Sequence, residues 1–293
     1  MNIAIIGGSG NMGKWSARYL MDEKIKVVIT GRNRTKLQKA AKDLGVPYAS
    51  NIEAVKTADV VILSLPPDVF ESVVEEIASH TKDKQLIIDI TSVKTMPVDI
   101  MHRYIKKGTI LGMHPVFGPG AKSLANQNFV LTPVNNREIE LAKKIKVYLE
   151  ERKANVSIMT PQEHDEMMTV VLGLAHFIAI VAADTLLSFD KFQEMKQIGG
   201  TTFKLLYTLV ESVISEDPQL YASLQMNFPN ISTIEGGFLN NTQIWADLVR
   251  NKDTHSFADR MSSLRDKLEI TDPLFRRAYE NMYKVNAVLK PKP

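Results

Sequence analysis

The chain opens with a short apolar run, Asn2–Ile6, that breaks into Gly7-Gly8-Ser9-Gly10-Asn11-Met12-Gly13 and continues as a helix-compatible stretch, 14–22. A strand that ends in glycines and re-emerges as a helix is the opening unit of a parallel α/β fold. Glycines let the backbone turn tightly and approach a diphosphate, whose charge then sits at the helix N-terminus. The flanking strand and helix are the context that separates a dinucleotide-binding loop from a plain glycine turn. Residues 7–13 are therefore read as a cofactor loop.

The alternation continues. Strands are expected at 26–30, 46–49, 59–64, 85–90, 109–112 and 129–133. Helices are expected at 35–44, 51–57 (capped by Asn51), 68–80, 96–105 and 137–152. This pattern defines a doubly wound, Rossmann-type sheet. Ser64, Leu65 and Pro66, at the carboxyl end of the 59–64 strand, are assigned to the cofactor site, because ligands of open α/β sheets bind beyond strand ends. An NAD site would carry Asp or Glu at the tip of the second strand. Here the tip reads Gly31-Arg32-Asn33-Arg34, with no acid. The two arginines either hold a 2′-phosphate, which favours NADP, or are ordinary surface charges. Ser92 and Lys94, in Asp89–Lys94 (DITSVK), are placed to touch cofactor or substrate; Ser92 is alternatively the cap of the next helix.

Beyond residue 156 the strands stop and nearly every segment reads as helix: 161–188, 191–195, 201–215, 217–227, 231–250, 253–269 and 272–287. The expected domains are 1–156, binding the dinucleotide, and 157–293, helical. Lys290-Pro291-Lys292-Pro293 reads as a frayed tail. The most apolar stretch, 170–183, is read as a buried helix too short to cross a bilayer. No signal peptide is recognisable at the start, so a cytoplasmic location is expected. The sequence has no cysteine, which excludes thiolate catalysis, disulfides and Cys-ligated zinc. A net charge of +3 with dispersed lysines argues against nucleic acid as a partner.

Histidines carry the candidate chemistry. His114 lies in Leu111–Gly120 (LGMHPVFGPG), between apolar residues and a Pro/Gly-rich turn. It is expected in a loop beyond a strand end, as a proton acceptor or as a residue that structures the loop. A neutral imidazole suits the first role, because its unperturbed pKa of about 6.5 lies near working pH. His164 and His176 share a helix but point about 120° apart, which argues against a shared metal. His164 is expected to pair with Asp165 and to face away from the pocket. His176 is either a core histidine or a substrate contact. Lys204, after the loop 197–203, either faces a carboxylate or is solvated.

Four stretches together, GGSGNMG (7–13), DITSVK (89–94), GMHPVFGPG (112–120) and EHDEMMTVVLGLAHF (163–177), resemble the prephenate dehydrogenase family of tyrosine biosynthesis. The resemblance covers most of residues 1 to about 225. It implies a Rossmann domain followed by a helical dimerisation domain, and NADP- or NAD-dependent oxidative decarboxylation of prephenate to 4-hydroxyphenylpyruvate. It implies that His114 accepts a hydrogen bond from the ring hydroxyl and that Ser92 lies beside that hydroxyl and the nicotinamide. It further implies that His176 lines the substrate pocket. The family's arginine for the dicarboxylate matches Lys204, which keeps the charge but loses the bidentate fork. Lys94 and Lys122 are further candidate cations. Arogenate dehydrogenase, an F420-dependent NADP reductase-like enzyme and a non-enzymatic NADP sensor are the competing readings. The apolar helices beyond 156 imply a homodimer.

Overall fold

The computed structural model describes residues 1–289, so the Lys-Pro-Lys-Pro ending lies outside the described residues. The described backbone divides into two compact units, Met1–Met168 with Ala222–Pro229, and Thr169–Tyr221 with the residues from Asn230 onward. The first unit thus runs past the composition change near 156 and takes in the first helix beyond it. That helix belongs with the sheet because His164, Asp165 and Met168 are all buried there.

In the first unit the elements are β1 (Asn2–Ile6), α1 (Asn11–Asp22), β2 (Lys26–Ile29), α2 (Arg34–Leu44), α3 (Asn51–Thr57), β3 (Val60–Leu63), α4 (Pro67–Ala78), β4 (Leu86–Asp89), α5 (Thr95–Tyr104), β5 (Thr109–Pro115), β6 (Asn128–Thr132), α6 (Asn136–Glu150), β7 (Asn155–Ile158) and α7 (Pro161–Met168). They form one seven-stranded sheet in the order β2-β1-β3-β4-β5-β6-β7. Every neighbouring pair is parallel except β5 and β6. The central parallel strands β1, β3 and β4 are largely apolar and buried because helices cover both faces. Phe70, Ile77, Ile87 and Met101 pack one face, and Ala17, Ile29, Leu37 and Leu44 the other. β1 lies between β2 and β3, so the chain leaves it in one direction and returns on the other side. That reversal opens a crevice at the carboxyl ends of β1 and β3.

Four local expectations change. Residues 46–49 form a single bridge, Tyr48 to Ile29, rather than a strand; Pro47 within the segment has no N–H to donate. Ser50, not Asn51, caps α3, in a capping box with Glu53. Asn51 instead accepts from the Thr30 hydroxyl at 2.6 Å. His114 lies inside β5 rather than in a loop after it. Pairing with the parallel partner β4 ends at Gly112, opposite Asp89, but the antiparallel partner β6 carries pairing on to His114 and Pro115. β7 then adds an edge strand to β6.

The second unit is helical among the described residues. A π-helical segment, Thr169–Leu174, leads into α8 (Ala175–Leu187), followed by α9 (Phe192–Ile198), α10 (Thr201–Ile214), α11 (Pro218–Asn227), α12 (Ile231–Arg250), α13 (Thr254–Thr271), a 3₁₀ turn (Phe275–Arg277) and α14 (Ala278–Leu289). The residues of α11 from Ala222 onward belong to the first unit. The expectation of a short, buried apolar helix at 170–183 is corrected. The helical run Pro161–Leu187 spans 27 residues, is long and apolar enough by composition to cross a membrane, and has only 17% of its most apolar window buried. Its apolar residues are distributed around the whole helix, and one set of neighbours covers only one side.

Candidate functional site

The glycine loop joins β1 to α1 at the crevice. Gly7 has φ +83°, and a Cβ there would lie 2.1 Å from the Ser64 carbonyl oxygen, so only glycine fits. A Cβ on Gly13 would lie 2.6 Å from the Gly7 carbonyl, so the helix meets the loop backbone directly. α1 has no side-chain cap and no acid in its first turn. Its first N–H groups are therefore suited to an anion, and the residues fit a diphosphate. Ser64 and Leu65 flank Gly7, and Pro66 stands as the N-cap of α4. At the tip of β2, a Cβ on Gly31 would lie 2.6 Å from Ser9 Oγ. Ser9 thus occupies the space where an acidic side chain would begin. Arg32, Asn33 and Arg34 are exposed, and Asn33 caps α2 by accepting from Lys36 N at 2.9 Å.

Three elements converge on the histidine. At the end of β4, buried Asp89 accepts from Thr91 N, and the Thr91 hydroxyl donates to the Val93 carbonyl. These bonds shape the turn that carries half-buried Ser92. Ser92 is not the helix cap, since α5 begins at Thr95 with Lys94 in the cap position. β5 supplies His114, which is 3% exposed. α7 supplies His164 and Asp165; its start is fixed by Thr160, which accepts from Glu163 N while Glu163 accepts from Thr160 N.

His114 Nδ1 lies 2.8 Å from His164 Nε2, and His164 Nδ1 lies 2.8 Å from Asp165 Oδ1. The backbone N–H groups of Lys94 and Thr95 donate to the two Asp165 oxygens, at 2.7 and 2.8 Å. Burial raises the Asp165 pKa, but the hydrogen bonds from His164, Thr95 and Lys94 outweigh it and hold the carboxyl below its ordinary value. Asp165 is therefore an ionised acceptor. His164 must then donate from Nδ1 and accept at Nε2, so His114 donates from Nδ1. That chain leaves His114 Nε2 as the acceptor of its ring. Burial lowers the pKa of both imidazoles, and for His114 the neighbouring His164 and the Lys94 charge lower it further. Both rings are neutral at neutral pH, and His114 is held in the tautomer a proton acceptor needs.

The reading that pointed His164 away from the site is thereby corrected: it is the direct partner of His114. His164 is separated from His114 by 50 residues, so only the docking of α7 reveals the pair. Lys94 is also corrected as a candidate cation for substrate. It is fully buried and paired with Asp89, and it donates to the Met113 carbonyl at 3.0 Å. Burial drives the Lys94 ammonium down and the Asp89 carboxyl up, each toward its neutral form, against the attraction of the pair.

Of the remaining residues, His176 and Lys204 belong to the second unit and Lys122 to the first. His176 is in α8, half-buried, with its ring edge-on to Tyr221 at 4.8 Å. Its Nδ1 is buried with no hydrogen-bond partner among the described residues, and burial lowers its pKa. Lys204 is exposed in the first turn of α10, and Lys122 is exposed in the segment after β5.

Comparison with known proteins divides the chain near residue 159, ahead of α7. Residues 16–158 match the family model for the prephenate dehydrogenase nucleotide-binding domain, and residues 160–263 match that for the prephenate dehydrogenase dimerization domain. A probable arogenate/prephenate dehydrogenase of Methanocaldococcus jannaschii is 36% identical over 265 residues, covering 89% of this chain. The chain spans 59% of that relative's length. Prephenate dehydrogenase of Aquifex aeolicus, solved with hydroxyphenyl propionate and NAD+, superposes with a TM-score of 0.72 at 22% identity, covering 93% of this chain and 98% of that one. Synechocystis arogenate dehydrogenase superposes with a TM-score of 0.67 at 16% identity, covering 92% and 100% of the two chains. With a nucleotide-binding model on the sheet-forming half and a dimerization model on the helical half, the chain belongs to the prephenate dehydrogenase family.

Proposed function

We propose that the protein oxidatively decarboxylates prephenate, with arogenate as the alternative substrate, using NADP in preference to NAD. The observation that carries the reading is the buried chain Asp165–His164–His114, which commits His114 Nε2 to accepting a proton. The bound nicotinamide supplies the hydride acceptor. His114 takes the proton of the ring hydroxyl as hydride leaves the same carbon, and carbon dioxide departs as the ring becomes aromatic. Such proton acceptance is worth ~10²–10⁴-fold. Ser92 orients the hydroxyl, while His176 and Lys204 serve substrate binding.

The preference for NADP rests on the exposed Arg32 and Arg34, which suit a 2′-phosphate, and on Gly31, which supplies no ribose-binding acid and faces Ser9 Oγ. A homodimer is proposed because α12 and α13 bury no residue within the chain and Leu239, Val249 and Ile270 are exposed. A second copy covers these apolar residues and those of 161–187 in a cytoplasmic protein.

The test is the rise in reduced-nicotinamide absorbance with purified protein, each acid paired with each nucleotide. Faster turnover of prephenate with NADP is expected. Turnover of arogenate alone moves the substrate; silence with both overturns the reading.

A further inference from the structure

The segment 116–127 follows His114 and Pro115 and includes an exposed glycine-rich tip. It is anchored at its base, where Val116 N donates to the Asn128 carbonyl at 2.9 Å and Gln127 N to the Leu124 carbonyl at 3.0 Å. Leu124 is buried, and the Phe117 ring meets Phe129 of β6 edge-on at 5.3 Å. A further attachment comes from another element. The indole N–H of Trp15, in α1, donates to the Ala121 carbonyl at 2.6 Å. The same ring meets Phe117 edge-on at 4.9 Å and stacks on Tyr19 at 5.7 Å. Tyr19 in turn shares a hydrogen bond with the Tyr148 hydroxyl at 3.0 Å, which braces α1 against α6.

Trp15 therefore connects two parts of the site. One end of α1 is the diphosphate cradle, two residues before Trp15. The held segment begins two residues after His114 and carries Lys122. An apolar ring alone would pack against Phe117; the indole adds a donor that fixes the register of the segment through the Ala121 carbonyl.

We infer that Trp15 is a positioning residue that ties the segment 116–124 to the dinucleotide helix, so that substrate meets a preformed wall beside His114. The inference rests on the dehydrogenase reading for its kinetic part. It does not restate that reading, since it concerns the bond and ring contacts of Trp15 to Ala121, Phe117 and Tyr19.

The experiment compares wild type with Trp15→Phe, which keeps an aromatic ring and removes the donor. Losing one hydrogen bond corresponds to roughly a two- to tenfold effect. The expected result is a rise of that size in KM for the cyclohexadienyl acid, with the NADP dissociation constant and kcat within about twofold of wild type. An unchanged KM, or equal weakening of nucleotide and substrate accompanied by a lower Tm, overturns the proposal.

A second measurement does not depend on turnover. The chain has two tryptophans, so Trp245→Phe leaves Trp15 as the single fluorophore. Its emission is expected to shift when NADP binds, and the shift to be reduced when Ala121 is replaced by proline, which disturbs the accepting backbone. Emission that ignores NADP, or a shift unaffected at Ala121, overturns the coupling. If wild type turns over neither prephenate nor arogenate, the dehydrogenase reading fails, and the fluorescence titration alone decides the proposal.

Discussion

Replacing Asp165 with asparagine tests the histidine chain through one atom. The carboxylate accepts from Lys94 N and His164 Nδ1 on Oδ1 and from Thr95 N on Oδ2, and the Thr95 side chain also bonds to it. A carboxamide has one oxygen. Placed at Oδ1 it keeps two of these bonds, so that orientation wins and His164 keeps its tautomer. The amide NH₂ then faces the Thr95 N–H, and a half-buried donor loses its acceptor at a cost of up to about 1–3 kcal/mol. Loss of the anion at the start of α5 adds roughly 0.3–1 kcal/mol. The expected loss of stability is therefore about 1–4 kcal/mol, read by urea unfolding. In turnover, what disappears is the negative charge that stabilises the imidazolium formed when His114 takes its proton. A charged hydrogen bond exceeds a neutral one by about 1–2 kcal/mol, which corresponds to roughly 5–30-fold in kcat. His114→Asn, which removes the acceptor itself, is expected to cost ~10²–10⁴-fold. Both are read from single-turnover absorbance of the reduced nicotinamide at saturating nucleotide. A kcat for Asp165→Asn within twofold of wild type refutes the reasoning, because the carboxylate is then not coupled to the reacting centre. A loss as large as that of His114→Asn also refutes it, because Asp165 would then be setting the tautomer rather than the charge.

The remaining predictions concern pH, cofactor choice and assembly. His114 and His164 have folded pKa values below their ordinary 6.5, so the unfolded chain binds more protons there. Their contribution to stability is complete above about pH 6.5 and is lost as pH falls below it. Asp165, depressed below 3.8, contributes stability above that value and loses it as pH falls further, through its folded pKa. The acid limb of kcat/KM is accordingly expected below pH 6.5, and a limb above 6.5 would contradict a buried neutral His114. The double substitution Ser9→Gly with Gly31→Asp, which clears the space and supplies the ribose-binding acid, is expected to invert the preference toward NAD; unchanged NADP preference in parallel titrations would count against the Gly31 argument. Sedimentation at micromolar concentration is expected to show twice the 32.8 kDa chain mass, and a monomer would leave the apolar faces of α12 and α13 unexplained.

Local signals carried much of the first unit. The strand, glycine turn and helix of residues 2–22 are legible because glycine and β-branched residues constrain the backbone next to themselves. The alternation that follows is legible because parallel strands must be apolar on both faces. His114 stood out for a related reason, in a proline- and glycine-rich setting at a strand end. Its partner did not. His164 sits in a charged helix start beside an obvious acid, and nothing within a few residues of it points to a position 50 residues earlier. Lys94 read as a cation for substrate because lysine is usually solvated; the fold instead closes it over Asp89, five residues upstream. The run 170–183 read as buried because apolar residues usually are, yet its own chain covers little of it.

The sequence by itself determined the doubly wound sheet, the glycine turn after β1, the missing acid after β2 and the Pro/Gly-rich setting of His114, since each depends on short-range backbone and side-chain preferences. Only the tertiary structure decided that His114 is held by His164 and Asp165, that Lys94 is internal, and that β5 extends through the histidine. Those features depend on which distant element packs against which, and that is set by burial over the whole unit rather than by the residues on either side.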